Sequence, residues 1–175
     1  MDQDLSIQKL NILVDHSESN SESSTVLNRV IAKAINARDE FLLWAGKADS
    51  ITLYELCIKM KHRRDEFALQ LQHEVASLGQ EPATEQNFAG WIHQGWTRIR
   101  LAVEPENDYV IASEMIREEE SMRLALTDAM ESGFVPKTVQ HLLRAEIVKA
   151  DELRKTMFDL KVKLKPDDYV DLNKD

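Results

Sequence analysis

From about Thr25 onward the apolar residues of this chain recur every three to four positions, the spacing that lines one face of an α-helix. The first stripe, Leu27, Ile31, Ala34, Ile35, Phe41, Leu42 and Ala45, predicts a helix over about 25–45, with Ser24 or Thr25 as N-cap and Gly46 at its stop. A second stripe, from Leu53 through Cys57, Met60, Phe67 and Leu71 to Leu78, predicts a helix over about 50–78 closed by Gly79. Opposite it on the same helix, Ile51, Ile58, Leu69 and Ala76 form another apolar line, so this helix is expected to be covered on both sides by the crossover, the preamble or a second subunit. Third and fourth helices are predicted over about 107–132, on Ile111, Met115, Met122, Leu126 and Ala129, and over about 136–164, opening at Pro136. Residues 1–24 read as a flexible preamble with room for one short helix on Ile7, Leu10, Leu13 and Val14, ending in the polar linker SESNSESS. Residues 166–175 read as an acidic tail.

Four amphipathic helices with no alternating strand pattern make an all-α four-helix bundle spanning residues 25–165. One connection is long. The 28 residues from Gly79 to Glu106 contrast with the 2–8 that usually join bundle neighbours. This segment carries its own apolar pattern, Phe88, Trp91, Ile92, Trp96, Ile99 and Val103, which predicts a crossover helix over 85–103. A single long crossover between the second and third helices is the ferritin-like pattern.

The sequence also resembles an uncharacterised bacterial family of ferritin-like four-helix-bundle proteins, a domain of unknown function. The resemblance rests on RRDEFALQLQHEVASLGQEP, on WIHQGWTRIRLAV, and more weakly on IREEESMRLAL and DEFLLWA, and covers roughly residues 26–161. It implies the fold and no activity. Where such proteins carry a histidine in the fourth helix, this chain has Asp151.

Composition narrows the chemistry. With 22 basic and 31 acidic residues the net charge is −9, which disfavours nucleic acid as a partner, since phosphate binding relies on Lys and Arg. No basic segment precedes an apolar run at the start, and no stretch approaches the ~18 apolar residues of a membrane span, so a cytoplasmic protein without a membrane partner is expected. The single cysteine, Cys57, lies on the second stripe and reads as core.

A ferritin-like di-metal centre needs Glu-x-x-His pairs, whose three-residue spacing converges a carboxylate and an imidazole on one ion. None of the five histidines, at 16, 62, 73, 93 and 141, follows a Glu by three. The pair His62 and Asp65 has the reversed spacing, but one pair cannot hold two ions. Helical wheels instead place charges on the apolar stripes: Arg38, Arg64, Glu118, Glu119, Glu146 and Arg154. These predict an internal Arg/Glu ion network in place of a metal centre, with no cofactor and no catalytic residue. The alternative is a carboxylate-rich Mn, Fe, Mg or Ca site on Asp39, Asp65, Glu119 and Asp151, with an oxidase activity in its train. The functional expectation is a non-catalytic, self-associating (dimeric) scaffold or stress-associated protein.

Overall fold

The computed structural model describes residues 2–87 and 107–165, with side chains from residue 19 onward. They form four helices: α1 (Asp2–Ala45), α2 (Ile51–Ser77), α3 (Asp108–Glu131) and α4 (Lys137–Lys163). No strand occurs among the described residues. The last three helices begin and end within a residue or two of where the apolar stripes place them. Residues 85–87 form a turn, and the rest of the predicted crossover helix lies outside the described residues.

The helix ends follow from local chemistry. Asn107 caps α3 by accepting a hydrogen bond from Val110 N at 3.0 Å. Gly79 follows α2 at φ +72°, a conformation in which a side chain is strained. There Gly79 N donates to Ala76 O at 2.9 Å and Gln80 N to Val75 O at 3.3 Å, which satisfies carbonyls the helix end leaves open. Gly133 closes α3 in the same conformation, at φ +79°. Pro136 stands just before α4, as its N-cap rather than its first residue.

The first helix departs from expectation. It runs unbroken through the serine-rich stretch instead of starting near Thr25. Serine lowers helix propensity only modestly, and here tertiary contacts outweigh that cost. Ser23 and Ser24 are buried. Ser23 Oγ donates to Phe134 O at 2.7 Å, and Asn20 Nδ2 donates to Leu78 O at 3.3 Å. Ser24 and Thr25 return their hydroxyl hydrogen bonds to Ser21 O within the helix.

Those same bonds fix the topology. Asn20 and Ser23 of α1 are level with the end of α2 and with the α3–α4 connection. At the opposite end, the Asp108 carboxylate accepts from Asp49 N at 2.9 Å and Ser50 N at 2.8 Å, so α2 and α3 start side by side. Helices α2 and α3 therefore run in one direction and α1 and α4 in the other. Helix α1 packs along α2, α3 along α4, and the two hairpins meet mainly through α1 and α3. Most of their shared core is apolar, with Ile31, Phe41, Met60, Leu71, Met115 and Leu143 among its fully buried members.

The segment after α2 turns back over the α1–α2 groove. Ala83 is fully buried there. Asn28 of α1 accepts from Ala83 N at 2.6 Å and donates to Glu81 O at 2.9 Å, while Gln72 of α2 donates to Ala83 O at 2.7 Å. Two side chains thus satisfy a strand-like strap that has no sheet partner.

Candidate functional site

The centre of the bundle is charged. Arg64 lies three residues before Phe67 and four after Met60, so helical geometry turns it into the core with them. It is completely buried. Its Nη1 donates to Glu146 Oε1 of α4 at 2.6 Å, and its Nη2 donates to Glu119 Oε1 of α3. Glu119 and Glu146 are carried inward in the same way, between Met115 and Met122 and between Leu143 and Ala150. Arg63 comes from the flank of α2 and places Nη2 2.8 Å from the same Glu146 oxygen.

Beside this group, Lys33 of α1 grips both oxygens of Glu118 on α3, at 2.6 and 2.8 Å. Both residues are buried. Burial pushes the Glu118 carboxyl up to about 7; Glu40 adds to that shift, while Lys33 and Arg64 oppose it. Lys33, Arg63 and Arg64 face Glu118, Glu119 and Glu146, so three positive and three negative groups balance around the core. The balance does not make the site strongly stabilising. Among the described residues Arg64 Nε and Glu119 Oε2 are buried with no hydrogen-bond partner, and desolvation offsets much of the Coulomb attraction.

The structure thus brings Arg64, Glu119 and Glu146 together and places Glu118 close by, on a different cation. It does not bring Arg38 or Arg154 to this group. Arg38 turns outward and bonds Asp39 at 2.7 Å and Glu85 of the strap at 2.6 Å, with Asp65 at 3.5 Å. Arg154 reaches Glu120 at 2.8 Å and Asp151 at 3.5 Å on the α3–α4 surface. Both begin on an apolar stripe, but a long arginine stem lets the guanidinium leave the core for water and a nearer carboxylate.

The carboxylates of the metal alternative are scattered. Asp39 sits on Arg38, Asp65 on Lys61 and Arg38, Glu119 on Arg64, and Asp151 near Arg123 and Arg154. Among the described residues no group of three or more His, Cys, Asp or Glu is arranged to hold a metal ion. Cys57 is buried against Met115, and that burial pushes its thiol up to about 12, far from a reactive thiolate.

Lys33 was missed by the stripe reading, although a signal exists. It lies three residues after Val30 and four before Ala37, on the flank of the stripe that meets α3. The small Ala32, Ala34 and Ala37, all buried, disguise how wide the apolar face of α1 is.

Residues 22–132 match the family of the domain of unknown function DUF2383. The chain belongs to this family. No curated protein matches it. The DUF2383 span runs from the serine-rich part of α1 to the end of α3, and so holds Lys33, Arg63, Arg64, Glu118 and Glu119. Glu146, on α4, lies beyond the matched span. No described helix of this DUF2383 protein is long and apolar enough to cross a membrane.

Proposed function

We propose that this DUF2383 protein is a non-catalytic bundle of the ferritin-like type, a cytoplasmic, self-associating scaffold or stress-associated protein. In it, Arg64 and its carboxylates occupy the place of a metal centre. One observation carries the reading: the fully buried Arg64 bridges Glu119 and Glu146 at mid-bundle. A guanidinium there supplies a positive charge at the place where metal ions would otherwise sit, with a planar fork suited to two carboxylates. The parallel course of α2 and α3, which requires one long crossover, supports the ferritin-like assignment. On this reading the protein needs no cofactor.

Elemental analysis of protein purified without chelator, combined with calorimetric titration of Mn²⁺ and anaerobic Fe²⁺, tests it. The expected result is metal well below one equivalent and no saturable heat. Stoichiometric iron or manganese would overturn this reading in favour of the alternative, a carboxylate-rich metal site with an oxidase activity.

A further inference from the structure

The outward face of α2 carries an apolar line that is exposed at three of its four positions, Ile58 alone packing partly against the core; beside that line Asp65 meets Arg38 of α1 and Gln72 meets the strap. Ile51 is 74% exposed and Leu69 55% exposed, Ala76 is also exposed, and Ile58 is half-buried. With Glu55, His62, Asp65 and Gln72 these positions make an unbroken alternation of four- and three-residue steps from one end of the helix to the other. That is the spacing of a coiled-coil seam. The seam is also self-complementary when read backwards.

We infer that this face docks a second copy of the chain, α2 lying antiparallel to its partner's α2 about a two-fold axis passing between Arg63 and Arg64. In that register the apolar layers coincide: Ile51 meets the partner's Ala76, and Ile58 meets the partner's Leu69. The polar layers match as well. His62 meets the partner's Asp65, and Glu55 meets the partner's Gln72, whose amide has a second N–H besides the one given to Ala83 O. On the flank, the exposed Lys59 faces the partner's Glu66. A two-fold axis repeats each contact, so a pattern that suits one half suits both. Slipping the pair by one heptad sets Glu55 against the partner's Asp65 in one direction and Asp65 against the partner's Leu69 in the other. Like charges and a carboxylate on leucine both disfavour those registers, which makes the docking specific. Because half of the layers are polar, the dimer is expected to dissociate on the order of micromolar concentrations.

The inference rests on the self-association proposed above, and the test separates the two. Sedimentation of the full chain over about 1 µM to 1 mM should show a monomer–dimer equilibrium that Leu69→Asp weakens by about tenfold or more. A variant combining Ile51→Cys with Ala76→Cys, both at exposed sites, should form a disulfide-linked dimer under mild oxidation. Either cysteine alone, or Leu124→Cys at an exposed site on α3, should not. Native Cys57 is buried and does not compete. A chain that stays monomeric throughout overturns both self-association and this surface. A dimer that ignores Leu69→Asp overturns the surface alone, and a dimer that Leu69→Asp weakens but the cysteine pair does not link overturns the antiparallel register.

Discussion

Arg63 and Arg64 are neighbours in sequence and touch the same Glu146 oxygen, yet their environments differ. The Arg64 side chain is wholly buried, whereas that of Arg63 keeps 17% of its surface in water. Removing Arg64 strands Glu119 as an uncompensated charge in the core and leaves Glu146 with Arg63 alone, a change that costs about 3–5 kcal/mol. Removing Arg63 leaves Glu146 still paired with Arg64 and takes away no hydrogen bond from Arg63 Nε or Nη2, so it should cost about 1 kcal/mol or less. Thermal denaturation of Arg64→Ala and Arg63→Ala should therefore show a much larger fall in Tm for the former, and equal falls would contradict the placement. The inward position of Arg64 is legible in sequence because Met60 and Phe67 leave it only one direction on the helix. The outward turn of Arg38 is not legible, because a wheel gives the angle of the Cβ and not where a long stem ends.

At the scale of elements, the stripes, with glycine stops after α2 and α3, were sufficient for α2, α3 and α4. They were insufficient for α1 and for the strap. A serine-rich stretch looks like a linker when judged by propensity alone, and it becomes helix because Asn20 and Ser23 bond to the ends of other elements. The strap after Gly79 has no periodicity to read; its position depends on Asn28 and Gln72, which sit on two different helices. Asn28→Ala leaves Ala83 N, a buried donor, unpaired and also frees Glu81 O, so a loss of about 2–3 kcal/mol is expected. Hydrogen exchange checks the location of the damage. Protection of the Ala83 amide should collapse in Asn28→Ala, while the amides in the middle of α3 keep theirs relative to the lowered global stability.

For the whole molecule, the Lys33–Glu118 pair matters because it ties α1 to α3, the contact through which the two hairpins meet. The Glu118 carboxyl is raised from 4.5 to about 7, so between those values the folded chain holds a proton that the unfolded chain has released. The corresponding stabilisation is fully present below about pH 4.5 and is lost as pH rises through about 7. Glu118→Gln removes this titration. Chemical denaturation from pH 4.5 to pH 8 should show wild type losing stability relative to Glu118→Gln as pH rises, with the difference flattening above about pH 7. A constant difference across that window would contradict the buried position of Glu118.

The sequence by itself determined the helical class, three of the four helix extents, and that Arg64, Glu118, Glu119 and Glu146 lie on or beside the apolar stripes. Each of those depends on periods of three to four residues and on caps a few residues long, which are local properties. Tertiary structure alone decided that Lys33 rather than an arginine would meet Glu118, that Arg38 would hold the strap, and that the serine-rich stretch would continue α1. Those outcomes depend on how far each helix slides and rotates against its neighbours, and no spacing within one helix encodes that register.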